Sequence, residues 1–164
     1  MKRILESGQF SNYREGVSLD SASMEVANLY KSYFGKTTVF ISHKHDDLED
    51  LSGLIGFLEK NYNVKAYIDS KDSSMPSVTS GVTASKIKER IRQCDKFILL
   101  ATDGAVESKW CNWELGYGDS QKFSSKDIAI LPLKRKGYSD SSYKGNEYMQ
   151  IYPYISFYEG NETY

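Results

Sequence analysis

The middle of the chain alternates between short apolar runs and longer segments with helical spacing. The apolar runs have the length of strands, and they read TTVFIS (37–42), VKAYID (64–69), KFILLAT (96–102) and DIAILPL (127–133). The first run, which is rich in β-branched residues, is typical of a strand buried on both faces of a parallel sheet. The pattern therefore predicts four successive strands.

The segments between the runs have the periodicity of helices. The stretch 46–60 places four leucines and one isoleucine on one helical face, and 84–94 and 108–122 follow with apolar faces of their own. Alternating strands and helices predict an α/β fold, a doubly wound parallel sheet with right-handed crossovers and strand order 2-1-3-4-5. The stretch 147–159 could hold a short helix, the final strand, or both.

The residues before the first strand are expected to form an extension. Residues 1–20 are polar without a clear period, which predicts a lead-in without regular structure, whereas 21–34 has helical spacing. We therefore predict an N-terminal extension with one helix at 1–35 and a single domain at 36–164.

One predicted helix has a carboxylate in the middle of its apolar face. When SKWCNWELGYG (108–118) is wound as a helix, Glu114 lies between Trp110 and Tyr117. Buried charges are usually paired, so Glu114 could be a structural carboxylate with a lysine or amide partner. It could also be a carboxylate with a chemical task in a partly dry pocket. Trp110 favours the second interpretation, because an aromatic ring beside a carboxylate can hold a flat ligand.

Ligands of such sheets bind beyond the carboxyl ends of the strands, where the strand order reverses. In the predicted order this crevice opens between the first and third strands, so the loops SHKHDD (42–47) and ATDGAVES (101–108) flank it. The helix with Trp110 and Glu114 begins directly after the second loop. Both side chains are therefore expected near the crevice.

The first of these loops also carries an H-x-H pattern beside two aspartates. The chain has only two histidines, and alternate residues of a loop need not converge, so we expect no metal site. Asp46 or Asp47 is expected to cap the following helix. Ser42, His43 and Lys44 would then project into the crevice as polar ligands.

Composition excludes several classes of partner. There are 21 basic and 22 acidic side chains, with a formal net charge of -1, which argues against binding to nucleic acid or to an anionic membrane. No apolar run approaches the ~20 residues of a membrane span. Two cysteines do not make a disulfide framework, and the N-terminus lacks the apolar core of a signal peptide. These features predict a cytoplasmic protein.

Common catalytic motifs are missing from the sequence. There is no P-loop, no G-x-G-x-x-G and no G-x-S-x-G, so kinases, Rossmann dehydrogenases and α/β-hydrolases lack their main support. A phosphoacceptor receiver domain shares the strand order but needs an acidic pair directly at the end of the first strand. Here Ser42 to His45 separate that strand from Asp46 and Asp47.

Four segments of the chain resemble the successive boxes of a Toll/interleukin-1 receptor (TIR) domain: TTVFISHKHDD, NVKAYIDSKD, CDKFILLATDGAVESKWCNWELG and DIAILPL. The resemblance covers about residues 36–158. Its most specific part, ESKWCNWEL, is similar to the W-x-x-x-E segment of TIR domains that consume NAD, with Trp110 and Glu114 in the places of the Trp and the Glu. The short stand-alone chain resembles bacterial TIR proteins, including those of Thoeris-type antiphage systems.

The resemblance implies a flavodoxin-like fold and a reaction. Catalytic members of the family cleave the bond between nicotinamide and ribose in NAD+, and they either hydrolyse it to ADP-ribose or form a cyclic ADP-ribose signal. NAD+ would be the substrate, with no further cofactor. A downstream effector could sense the product. The alternatives are a non-catalytic TIR scaffold that acts through self-association, and a module that binds NAD derivatives without turnover.

The resemblance also implies roles for particular residues. Glu114 would be the catalytic carboxylate, and Trp110 would stack on a flat ring of the substrate. His43 and Lys44 would meet phosphates or ribose, beside Ser42. Asp69, the last site residue, opens a loop up to residue 83 that corresponds to the family's BB loop, which gates the site and mediates assembly.

Overall fold

The structure, a computed structural model, describes residues 2–17, 35–69 and 80–158. The helix predicted at 21–34 and most of the loop predicted at 70–83 lie outside the described residues.

The core of the fold is a five-stranded sheet in which every pair of neighbours is parallel. Its strands are β2 (Leu5–Glu6), β3 (Thr37–Ser42), β4 (Val64–Tyr67), β5 (Lys96–Thr102) and β6 (Ile128–Lys134). Their order across the sheet is β2-β6-β5-β3-β4. A separate two-stranded antiparallel pair joins β1 (Lys2–Arg3) to β7 (Phe157–Tyr158).

The helices of the described residues are α1 (Leu48–Asn61), α2 (Gly81–Gln93), α3 (Asp103–Glu107), α4 (Lys109–Lys122) and α5 (Tyr148–Ile151). Single 3-10 turns lie at Ser11–Tyr13, His45–Asp47 and Asp140–Ser142. Three consecutive helices begin with a side-chain cap, because the hydroxyls of Ser80, Thr102 and Ser108 accept backbone N–H groups of the first turns of α2, α3 and α4.

The predicted α/β fold is confirmed, but the outer edge of the sheet differs from the prediction. The strands β3 to β6 have the predicted 2-1-3-4 arrangement. The fifth position is shared by the two ends of the chain. Leu5 of β2 pairs with Leu133 of β6. On the same edge, nearer the middle of β6, Tyr154 makes a single parallel bridge to Ile130. A strand of two residues has no detectable period, which is why the sequence did not reveal β2.

The lead-in is also more regular than predicted. Residues 2–17 form β1, β2 and a 3-10 turn, so the prediction of a segment without regular structure is wrong for this part. Phe10 is buried against α1, and the Asp50 carboxylate of α1 accepts hydrogen bonds from the Ser7 hydroxyl at 2.6 Å and the Gly8 N–H at 2.7 Å. Gly53 allows this close approach, because a Cβ there would lie 2.6 Å from the Phe10 carbonyl oxygen.

Two hydrophobic layers cover the two faces of the sheet. One includes Leu51, Leu54 and Ile55 of α1, which pack on Val39, Ile41, Ala66, Ile98 and Leu100. The other includes Ile87, Ile91, Cys111 and Leu115 of α2 and α4, which pack on Phe40, Tyr67, Phe97 and Leu99. Since side chains alternate along a strand, Ser42 lies on the same face as Phe40, towards α4.

Replacement of two helical glycines by alanine should have opposite effects on stability. Gly53→Ala should lower the free energy of unfolding by roughly 1–3 kcal/mol, because the new Cβ meets the Phe10 backbone. Gly116→Ala should raise it by up to about 1 kcal/mol, because alanine favours the helix and the new Cβ would face open space. Urea unfolding of both variants measures the difference, and equal stabilities would show that residues 2–17 do not rest on α1.

Candidate active site

The site centres on a buried contact between a strand end and a helix. Ser42 is the last residue of β3, and Glu114 lies in the second turn of α4, which packs across β5 towards β3. The Ser42 hydroxyl donates a hydrogen bond to Oε2 of Glu114, and neither residue has any exposed surface. The carboxylate in the apolar face of the helix therefore meets a hydroxyl from the central strands.

Several contacts fix α4 in the position that this hydrogen bond requires. The Asn112 amide donates to the carbonyls of Val106 at 2.8 Å and Ser108 at 2.9 Å, and its oxygen accepts from the Tyr148 hydroxyl. Asn112 thus joins the end of α3, the start of α4 and α5. Sequence reasoning missed this brace, and the only signal for it was the richness of the C-terminal part in tyrosine.

The close approach of α4 to β5 depends on one glycine. A Cβ at Gly118 would lie 2.9 Å from the ring of Phe97. The packing of α4 on β5 therefore requires glycine at position 118, whereas Gly116 faces open space.

Trp110 begins a stack of aromatic rings along α4. The ring centroids of Trp110 and Trp113 lie 4.8 Å apart, and those of Trp113 and Tyr117 lie 6.4 Å apart. Both pairs of rings are nearly parallel. The ammonium of Lys88 on α2 sits over the rings of Trp113 and Tyr117, at 5.7 and 5.3 Å. The Trp110 indole N–H is buried and, within the part of the chain that the structure describes, donates to no acceptor.

His43 and Asp69, both predicted to bind substrate, are buried at the carboxyl ends of β3 and β4, with 2% and 4% of their surface exposed. Nδ1 of His43 lies 3.3 Å from the carbonyl oxygen of Ile41. Burial lowers the pKa of His43, although the Ile41 carbonyl and the charges of Asp47 and Asp69 oppose this shift. The imidazole is therefore neutral at neutral pH and acts as a hydrogen-bonding group.

Asp69 is held by an arginine from α2. Arg90 donates to the Asp69 carboxylate at 3.1 Å, and its guanidinium lies 5.3 Å from the centre of the Tyr67 ring. This ion pair orients the carboxylate at the point where the chain leaves the sheet. Sequence reasoning did not single out Arg90.

Lys44 points to a different place from the Ser42–Glu114 pair. It lines a pocket of about 200 Å³ at the carboxyl ends of β3, β5 and β6, whose described lining also includes Asp46, Asp103 and Arg135. Neither Ser42 nor Glu114 is among those lining residues. The Lys44 ammonium lies 3.6 Å from the Asp46 carboxylate.

Asp47 takes the N-cap position of α1, as predicted for Asp46 or Asp47. Its side chain does not bond to the helix, however, and accepts instead from the Thr102 hydroxyl at 2.6 Å. Burial raises the pKa of Asp47, and the bond from Thr102 partly opposes that shift. The hydrogen bond links the loop after β3 to the end of β5.

Two other kinds of site, a metal site and a reactive thiol, find no support among the described residues. Among residues 2–17, 35–69 and 80–158, no group of three or more His, Cys, Asp or Glu is placed to hold a metal ion. Both cysteines are buried, and burial raises the pKa of the Cys94 thiol to about 12, so it is no nucleophile at neutral pH.

In the same ranges, no helix combines the length and apolarity that a bilayer crossing needs.

The chain is similar to a known family and to a known protein. The family model of the TIR domain matches residues 39–163, which include Ser42, Trp110 and Glu114. A probable 3′ cyclic ADP-D-ribose synthase ThsB′ from Bacillus cereus (strain MSX-D12) is 33% identical over 120 residues, which are 72% of this chain and 60% of the relative. The chain thus spans about three fifths of the length of that relative.

The buried His43 should make stability depend on pH. Its pKa in the folded protein is below the ordinary 6.5, so below pH 6.5 the unfolded chain binds a proton that the folded protein does not. The free energy of unfolding should therefore fall as the pH drops below 6.5, by at most about 1.4 kcal/mol per pH unit from this one group. Urea unfolding at several pH values between 7.5 and 5 measures the slope.

The slope should shrink in His43→Gln and persist in His45→Gln, whose histidine is exposed in the parent protein. Asp47 has a raised pKa and contributes with the opposite sign, but it is common to all three proteins. A His43→Gln variant with the full parental slope would contradict the assignment.

Proposed function

This chain belongs to the TIR domain family, and from that premise we propose that it is an NAD+ nucleosidase that cleaves the nicotinamide–ribose bond with Glu114 as its catalytic carboxylate. The observation that carries the proposal is the buried Ser42–Glu114 contact at the carboxyl edge of the sheet. The relative named as a probable cyclic ADP-ribose synthase supports the choice of substrate.

The chemistry of the bond explains why a buried carboxylate is useful. As nicotinamide leaves, positive charge develops on the ribose carbon that carried it and on the ring oxygen. A carboxylate in a low-dielectric pocket stabilises this charge far better than water could. Glu114 can also orient ribose hydroxyls, or accept the proton of the attacking group. Attack by water gives ADP-ribose, and attack by a hydroxyl of the substrate gives a cyclic product.

The other predicted residues support binding of the substrate in distinct ways. We propose that Trp110 stacks on a flat group of the substrate and that its buried indole N–H is an available donor. His43 is neutral and suits ribose hydroxyls better than phosphates. Asp69, oriented by Arg90, suits a hydroxyl or amide donor.

Lys44 is the proposed contact for the phosphates. Lys44 and Arg135 each lie more than 3.5 Å from their nearest carboxylate partners, at 3.6 and 3.8 Å, which is too long for a hydrogen bond. Their N–H groups can therefore turn to an anion in the pocket at the carboxyl ends of β3, β5 and β6, where Asp46, Asp47, Asp50 and Asp103 are the opposing charges.

We further propose that the reaction takes place in the cytoplasm as part of a Thoeris-type antiphage response. Self-association through TIR surfaces and a downstream effector that senses the nucleotide product belong to this proposal. The similarity to the relative named ThsB′ and the family membership support it.

One observation favours the alternative, a non-catalytic TIR scaffold. Glu114 has no exposed surface, so the carboxylate must become accessible before a substrate can touch it. In a scaffold, Glu114 would only hold α4 against β3, and the protein would act through self-association.

Turnover of NAD+ by Glu114→Gln and Glu107→Gln separates the two functions. Glu107 is the matched control, because it is an exposed carboxylate on α3 that pairs with Lys144 at the surface. We expect the parent and Glu107→Gln to consume NAD+ at equal rates, and Glu114→Gln to be slower by at least about 100-fold. Mass spectrometry distinguishes ADP-ribose from a cyclic product, which is lighter by one water.

The assay uses high protein concentration, so that any assembly that the site requires can form. Equal rates for Glu114→Gln and the parent would exclude Glu114 as the catalytic carboxylate. Intact NAD+ with all three proteins, together with self-association in sedimentation experiments, would instead establish the scaffold.

A further inference from the structure

Ser42 differs from the other residues of the site because it belongs to a strand of the sheet. It ends β3, which is hydrogen-bonded to β4 on one side and β5 on the other, and its own partner in β5 is Leu99. The position of its hydroxyl is therefore set by the backbone of the sheet. Glu114, by contrast, reaches its position through a side chain with three rotatable torsions.

We infer that Ser42 is a positioning residue, which acts on the proposed cleavage of NAD+ through Glu114 and not by contact with the substrate. This inference rests on the proposed function. Its basis is the hydrogen bond from the Ser42 hydroxyl to Oε2 of Glu114 between two side chains without exposed surface.

The donor capacity of serine excludes a second task as a hydrogen-bond donor during the reaction. A hydroxyl has a single O–H, and in this site it is directed at the carboxylate. While that bond persists, Ser42 has no hydrogen to offer to a ribose or phosphate oxygen.

The bond has two effects on the carboxylate. A fixed donor selects one arrangement of the Glu114 side chain, which places the negative charge at a defined distance from the bond to be broken. The donor also replaces part of the hydration that the carboxylate loses on burial. The first effect matters most in the transition state, where the positive charge develops.

The kinetic consequence distinguishes positioning from substrate binding. Loss of an interaction that matters only in the transition state lowers kcat, whereas loss of a direct contact with bound substrate raises KM. For Ser42→Ala we expect kcat to fall roughly 10- to 100-fold, by analogy with the loss of an outer group that orients a metal ligand. KM for NAD+ should stay within about 3-fold of the parent value.

Thr38→Ala is the matched control on the same strand. Thr38 lies at the other end of β3, and its hydroxyl accepts from the Asp95 N–H at 3.0 Å and approaches the Asp95 carboxylate at 3.1 Å. This variant removes a hydroxyl that contacts a carboxylate, far from Glu114 along the strand. Its kcat and KM should equal those of the parent.

Two further variants keep the test decisive. Ser42→Thr retains the hydroxyl and should recover most of the kcat. Ser42→Cys retains the size of the side chain but has only a weak donor, so it should lose kcat as alanine does, and it carries the test if Ser42→Ala does not fold. Urea unfolding of each variant confirms that a folded protein is measured.

The outcomes separate the inference from the proposed function. A parent that consumes NAD+ while Ser42→Ala and Ser42→Cys keep the full kcat, or lose affinity at unchanged kcat, overturns the positioning role alone. A parent that leaves NAD+ intact overturns the proposed function and this inference with it. A fall in kcat at constant KM, with recovery in Ser42→Thr, supports both.

Discussion

The burial of the Glu114 carboxylate is the constraint on which the site depends. A carboxylate taken out of water loses several kcal/mol of hydration unless protein donors replace it. The Ser42 hydroxyl is such a donor, so α4 must cross β5 closely enough to reach the end of β3. That approach explains the missing side chain at Gly118. It also explains the brace at Asn112, which prevents α4 from shifting along the sheet.

The outer edge of the sheet shows a second constraint, since an unpaired edge strand is open to pairing with other chains. Both ends of this chain cover β6, β2 near the carboxyl edge and the stretch around Tyr154 near the middle. The pairing of β1 with β7 joins the two ends to each other. The lead-in is thus a structural part of the domain and rests on α1 through the glycine at position 53.

The sequence predicted the parts of this protein whose pattern is long enough to be periodic. The runs at 37–42 and 96–102 coincide with β3 and β5, and the helix with Trp110 and Glu114 lies where its spacing put it. The two-residue strand β2 was invisible because it has no period. The direction of the Lys44 side chain could not be predicted either, because side chains after the end of a strand follow the local turn and not the alternation of the strand.

The pairing of Glu114 with Ser42 was beyond sequence reasoning for a related reason. The helical projection places Glu114 on the buried face, but the position of the helix along the sheet decides which strand residue it meets. An amide of the same shape could occupy this place, accept the same hydrogen bond and lose less hydration on burial. The proposed catalytic role of Glu114 accounts for the choice of a carboxylate here, because stabilisation of a developing cation needs the charge and packing alone does not.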